Sequence, residues 1–216
     1  MTVPYEGCHL NFVQATITIM AKKNFSSPKL SWDFGTAYEL FISLHVLLEP
    51  EHFGIRPSYA ASVRARIPAA ERKLLEELYP LLGVPLKWLN SLPGQKDAIS
   101  ALWALKQIPP AERMLEIYNV HEVYETDNPE DAEKHKTFRE ILLRIAAEGK
   151  VLLSDVDFFQ KLFSQKHGNM KREAVESALD WWSRPAELGE AFLTAFQSYY
   201  QAFFEEEEKR VGPILR

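Results

Sequence analysis

Histidines come first, because imidazole serves both as a metal ligand and as an acid–base catalyst. The chain has six of them: His9, His45, His52, His121, His135 and His167. No two have the His-x-x-x-His spacing that places both imidazoles on one helical face. Asp131 and His135 lie four residues apart, but the next position on that face is Arg139, a cation where another ligand would be needed. We therefore predict no metal site.

Nucleophilic and phosphate-binding chemistry has no motif in this sequence. A Gly-x-Ser-x-Gly elbow, a phosphate-binding glycine loop and a dinucleotide fingerprint are all absent from it. The single cysteine, Cys8, excludes an internal disulfide and a thiolate-rich metal site. The paired acids Asp155 and Asp157 lie in a predicted first helical turn, where carboxylates complement the helix dipole. An enzyme would have to use His45 or His121 with a nearby carboxylate, and the sequence favours neither. We predict no enzyme and no cofactor.

One basic cluster is the only place where the sequence would hold a phosphate or an acidic partner. It consists of Arg56, Arg64, Arg66, Arg72 and Lys73. Because Arg64 and Arg66 are two positions apart on a predicted helix, they face in different directions. Ordinary solvation is therefore the favoured interpretation of the cluster.

Aromatic side chains near the C-terminus form two stripes on one predicted helix. The first stripe is Phe192, Phe196, Tyr199 and Phe203, and the second is Leu193, Tyr200 and Phe204. Trp181 and Trp182 end the preceding helix. So wide an apolar face must be covered on two sides, by a partner subunit, by a ligand or by neighbouring helices of the same chain. Because aromatic residues are enriched at interfaces, a homodimer contact is the leading specific prediction.

A ligand pocket lined by aromatic rings is the alternative to this dimer contact. The residues predicted to line the dimer interface or the pocket are Trp181, Trp182, Phe196, Tyr199, Tyr200, Phe203 and Phe204, with Trp103 and His45. His45 lies within an apolar helix, where the two interpretations are a ligand-sensing group and a hydrogen-bonded, half-buried histidine.

The elements that position these residues are predicted to be helices throughout. Hydrophobic periodicity and turn residues predict an all-α multi-helix bundle of about nine or ten helices. Thr36 and Glu39 have the spacing of a capping box for the first of them. Asn128-Pro129 begins another helix, which Gly149 ends as a C-terminal cap. The polar stretch at 126–130 is the best internal boundary.

Both ends of the chain differ in character from the bundle. Residues 1–30 are predicted to be a leader, irregular or with one loose strand at 12–20, and translation from Met20 is an alternative start. No Lys or Arg precedes the apolar stretch, so a signal peptide is not predicted. Residues 31–210 form the predicted helical domain, and 211–216, with Gly212-Pro213 as a stop, begin a predicted linker to a further domain.

Composition limits the classes of function. The 216-residue chain is 46% hydrophobic and 12% aromatic, which is enough for a sizeable core. Its formal net charge of −5 does not give it the basic face of a duplex DNA reader. No apolar run reaches the ~18 residues of a membrane helix, so no membrane partner is predicted. One cysteine fits a reducing cytoplasm.

Four stretches of the sequence together resemble a known family. They are "SWDFGTAYELFISLHVL", "HFGIRPSYAASVRARIP", "ALWALKQIPPAERM" and "YYQAFFEEEE". This pattern is similar to the N-terminal all-helical regulatory domains of ArsR-type winged-helix transcriptional regulators of bacteria, over about residues 28–216. No winged helix is predicted within the chain, and the single cysteine does not support the cysteine-rich metal sensing of that family.

The resemblance implies a regulatory, dimer-forming module, with DNA bound only by a winged-helix domain beyond residue 216. Its small-molecule effector, its operator and the direction of regulation are open. The alternative is a free-standing helical domain that binds a small molecule in an aromatic pocket.

Overall fold

The computed structural model describes residues 35–118, 120, 128–167 and 170–214, and within them it contains ten helices and no strand. They are α1 (Thr36–Leu48), α2 (Pro57–Arg64), α3 (Ala69–Leu78) followed by a 3-10 turn (Tyr79–Leu81), α4 (Leu86–Ser91), α5 (Ala98–Gln107), α6 (Pro110–Ile117), α7 (Pro129–Glu148), α8 (Leu153–His167), α9 (Arg172–Trp182) and α10. Helix α10 comprises Pro185–Tyr199, a π-helical segment Tyr200–Phe204 and Glu205–Val211. The all-α prediction is confirmed. The leader or strand predicted for residues 1–30 lies outside the described residues.

Local signals set several of the helix ends. The Asn128 side chain accepts a hydrogen bond from the Glu130 N–H at the start of α7. Gly149 ends this helix with a left-handed φ of 64°, and its N–H donates to the Ile145 carbonyl. Both bounds of α7 agree with the prediction, because the signals that set them are local and lie next to the ends they cap.

The predicted capping box at the start of α1 is wrong. Thr36 is the first helical residue, Gly35 occupies the N-cap position, and no side chain caps the helix. The Thr36 hydroxyl instead donates to the Glu208 carboxylate, 172 residues later in the chain. A tertiary contact has therefore replaced the local one that the spacing of Thr36 and Glu39 predicts.

Helix α10 is the centre of the bundle. It packs against α3, α5, α6 and α9, and both of its aromatic stripes face these neighbours. Its closest approach is to α6, where a Cβ added at Gly189 would lie 2.0 Å from the Pro110 carbonyl oxygen. Only glycine allows the two backbones to come so close.

Arg113 on α6 joins three helices from inside the core. Its side chain is only 2% exposed. The guanidinium donates to the carbonyls of Leu105 at 3.0 Å, Ile108 at 3.0 Å and Gly189 at 2.7 Å, and it pairs with Glu190 at 3.3 Å. A buried cation is tolerated here because these acceptors replace its water.

The predicted internal boundary at 126–130 falls partly outside the described residues, since only 128–130 are described. The buried apolar side chains before and after it belong to one core cluster. Arg139 on α7 donates to the Val120 carbonyl at 2.8 Å, which joins the two sides of the stretch.

Candidate functional site on helix α5

The outer face of α5 carries two large apolar side chains exposed to solvent. Ile99 is 62% exposed and Trp103 is 65% exposed. Because they are four residues apart, they lie on the same face of the helix. On the opposite face, Ala98, Ala101 and Leu105 are buried in the core. Helix α5 is therefore apolar on both its inner and its outer face.

Opposite charges lie at the two ends of this outer face. Asp97 is the N-cap residue of α5, and its carboxylate accepts a hydrogen bond from the Ser100 N–H at 2.7 Å. Lys106 is exposed in the last turn and forms no ion pair with any described residue. We call Asp97, Ile99, Trp103 and Lys106 the α5 face.

A shallow cavity of about 460 Å³ opens beside Ile99, where the start of α5 meets the end of α10. Its walls combine apolar side chains, hydroxyls, an amide and charged groups. They are formed by Gly35, Thr36, Gln95, Asp97, Ile99, Ser100, Glu208, Lys209, Gly212 and Pro213. We call it the α5–α10 cavity.

Glu208 holds the floor of this cavity together. One carboxylate oxygen accepts from the Thr36 hydroxyl and from the Ala98 N–H, the latter at 3.1 Å. The other oxygen accepts from the Tyr200 hydroxyl at 2.8 Å. A single carboxylate thus connects the starts of α1 and α5 to the end of α10.

The π-helical segment brings Tyr200 and Glu208 of one helix together. Burial raises the pKa of the Tyr200 hydroxyl above its ordinary value, and the hydrogen bond to Glu208 and the charges of Glu208, Glu205 and Asp97 raise it further. The hydroxyl therefore remains a proton donor to Glu208 across the neutral range. The nearby cation Lys209 is paired with Glu205 at 2.9 Å, so carboxylates dominate the charge around this cavity.

Most of the predicted interface residues lie inside the chain's own core. Trp182, Phe196, Tyr199, Tyr200 and Phe204 are all buried. Phe196 packs against Phe192 and Phe41, with ring centroids 5.4 and 4.5 Å apart. Neighbouring helices thus cover these rings, which was one of the three interpretations open from the sequence.

Trp181 and Phe203 are only partly buried. The Trp181 indole N–H donates to Glu77 on α3 at 3.0 Å, and the Arg184 guanidinium lies over the ring at 4.8 Å. Phe203 packs against Tyr199, with ring centroids 5.9 Å apart. Both rings extend the core of α10 outward rather than form a separate surface.

His45 is half-buried on α1, with its ring 5.8 Å from that of Tyr79. This placement agrees with the half-buried interpretation of His45. Neither the α5–α10 cavity nor a second one of about 550 Å³ at 54–59 is lined by His45 or by a tryptophan. The structure therefore does not bring Trp103, Trp181, Trp182 and Tyr200 together around either cavity.

The basic cluster is dispersed among local contacts. Arg64 donates to the Leu47 carbonyl at 2.7 Å and lies 3.8 Å from Glu76. Lys73 lies 3.6 Å from Glu77. These partners agree with ordinary solvation and helix support as the interpretation of the cluster.

Among the described residues, no three His, Cys, Asp or Glu side chains are grouped so that they could hold a metal ion. His9, His121 and Cys8 lie outside the part of the chain that the structure describes. Of the helices that are described, none has the length and apolar character to cross a bilayer.

Sequence reasoning identified Trp103 but not Ile99, Asp97 or Glu208. A signal for Ile99 does exist, because the segment 98–107 is apolar on every side, which is typical of a helix whose outer face is covered as well. No local pattern indicates Glu208, since its partners Thr36 and Ala98 are more than a hundred residues away.

Comparison with protein-family models, with curated proteins and with solved structures finds no match for this chain. The resemblance to ArsR-type regulators therefore stays a prediction from the sequence.

Proposed function

We propose that this chain is a non-enzymatic regulatory module that works by self-association, and that the α5 face is its contact surface. The observation that carries the proposal is Trp103, which is 65% exposed on a helix whose other side is already buried. Tryptophan is the residue type most enriched among the side chains that dominate binding energy at interfaces.

The α5 face has the anatomy of a small interface. Its apolar centre, Ile99 and Trp103, is flanked by the charged side chains Asp97 and Lys106. An apolar centre with a polar rim is the usual arrangement of protein contacts. The inner face of α5 is fixed by the core, so the outer side chains are presented on a rigid support and little backbone order has to be gained on binding.

The resemblance to ArsR-type regulators places this self-association in a biological context. A regulatory module of that kind would pair two winged-helix domains, each outside the present sequence, on the two half-sites of an operator. With a net charge of −5 and its basic residues dispersed, the chain is not expected to bind DNA by itself.

Sedimentation velocity across a range of protein concentrations tests this proposal. We expect a concentration-dependent dimer that Trp103→Ser converts to a monomer. The matched control is Leu153→Ser, which removes a side chain that is 75% exposed on α8. Equal association of the two variants, or a wild-type monomer at every concentration, would reject the α5 face as the contact. Gel-shift binding of DNA by this chain at ~200 mM salt would contradict the regulatory assignment.

A small-molecule-binding domain is the second candidate, and the α5–α10 cavity favours it. Its volume of about 460 Å³ lies within the ~300–1,000 Å³ of typical ligand sites. Titration with small aromatic amines, read by tryptophan fluorescence and melting temperature, tests this function. Saturable binding that Ile99→Glu abolishes would support it, and no response across the series would count against it.

A further inference from the structure

We propose that two copies of the chain pair through antiparallel α5 helices, and that Trp103 of each copy fills the α5–α10 cavity of the other. This inference rests on the proposed self-association and specifies its geometry. It makes the dimer isologous, so that every contact across the interface occurs twice.

The same surface carries both a projecting side chain and a recess. Trp103 projects into solvent, and Ile99, one helical turn earlier, forms a wall of the α5–α10 cavity. The two positions are about 6 Å apart along the helix axis. A twofold axis near residue 101 therefore places Trp103 opposite Ile99 of the partner subunit, and the reverse contact forms by symmetry.

The walls of the cavity match the chemistry of an indole. Ile99 and Pro213 offer apolar contact to the ring, while the Asp97 carboxylate and the Ser100 hydroxyl are acceptors at the rim. An indole has one N–H donor and no acceptor, and it is buried favourably where that donor meets an acceptor. The excess of carboxylates around the cavity thus suits a donor from the partner subunit.

The charges at the ends of the α5 face select the antiparallel orientation. With the axis near residue 101, Asp97 of one copy lies opposite Lys106 of the partner subunit, and two such pairs form. A parallel arrangement would place Asp97 against Asp97 and Lys106 against Lys106, which is repulsive. Antiparallel helices also oppose their dipoles favourably.

A charge-reversal cycle, read as the dimer dissociation constant by sedimentation, tests the orientation. Lys106→Glu should weaken the dimer about 5- to 30-fold, because two attractive pairs become repulsive. Adding Asp97→Asn to Lys106→Glu should restore most of this loss, since the repulsion is removed. Asparagine is as good an N-cap as aspartate, so α5 keeps its start, and circular dichroism checks the fold of each variant. Lys161→Glu on α8 is the control for net charge.

The outcomes separate this inference from the proposed function. If Trp103→Ser abolishes the dimer but Lys106→Glu acts no differently from Lys161→Glu, the antiparallel pairing is overturned while self-association through the α5 face stands. If Lys106→Glu weakens the dimer and Asp97→Asn does not relieve it, the pairing of these two residues is also wrong. If the wild-type chain is a monomer throughout, both proposals fail.

Discussion

Helices α5 and α10 carry similar aromatic patterns, but different surfaces cover them. On α10, Phe196 is 1% exposed and stacked between other rings of the same chain. On α5, Trp103 is 65% exposed and makes no ring contact with any described residue. Helical spacing shows that a face is apolar but not which molecule covers it, because the answer depends on how many other helices reach that face.

Truncation of one ring in each region should separate the two roles most strongly. Phe196→Ala leaves a cavity in the core and should lower the free energy of unfolding by about 4 kcal/mol. Trp103→Ala removes an exposed ring and should change the stability of the monomer by less than about 0.5 kcal/mol. Urea denaturation at concentrations below that of self-association measures both. Equal losses in the two variants would remove the distinction between a core helix and a contact helix.

The close contact of α10 with α6 is the next place to test it. Gly189→Ala places a methyl group against the Pro110 carbonyl, so the helices must separate, at a cost of about 3 kcal/mol in unfolding free energy. Gly83→Ala is the matched control, because a Cβ there meets nothing within 4 Å. It should change stability by less than about 1 kcal/mol. A Gly189→Ala variant as stable as Gly83→Ala would show that α10 is not clamped by its neighbours.

Removal of the buried cation that joins α5, α6 and α10 should have a somewhat smaller effect. Arg113→Met keeps the aliphatic stem but leaves three buried carbonyls without their donor, which should cost about 2 kcal/mol. Arg184→Met is the control, since its pairs with Asp180 and Glu187 are exposed and should contribute less than about 0.5 kcal/mol. Thermal denaturation of the two variants under identical conditions gives the comparison.

Alkaline pH should weaken the aromatic core of α10 gradually. Burial raises the pKa of Tyr199 above its ordinary value, although its hydrogen bond with Ser43 acts in the opposite direction. Above pH ~10 the unfolded chain loses this proton while the folded chain keeps it, so stability falls by up to about 1.4 kcal/mol per pH unit for this residue. Below pH ~10 the residue contributes no pH dependence. Tyr199→Phe should make the alkaline loss shallower by that amount in urea titrations between pH 9 and 11, and identical slopes would contradict it.

The sequence predicted what local chemistry controls. The starts at Asn128 and Pro185, the end at Gly149 and the all-helical class all depend on residues next to the element concerned. The capping box at Thr36 failed because a residue far along the chain provides a better partner for its hydroxyl.

The candidate site was predicted only in part, and the reason is the same. Trp103 was identified because a tryptophan is conspicuous in any sequence. Its exposure, however, depends on the absence of a covering helix, and the cavity beside it depends on where α10 ends. Arg113 gave no signal, because a buried arginine has the same local sequence as a solvated one.

The π-helical segment Tyr200–Phe204 has a consequence for how this chain tolerates changes in length. Such a turn holds more residues than an α-helical one, so losing a single residue there would turn everything after it by about 100° around the axis of α10. Glu208 would leave Thr36 and Ala98, and whatever follows Gly212 would point in a new direction. The bearing of the C-terminal end relative to the bundle is therefore set by one codon.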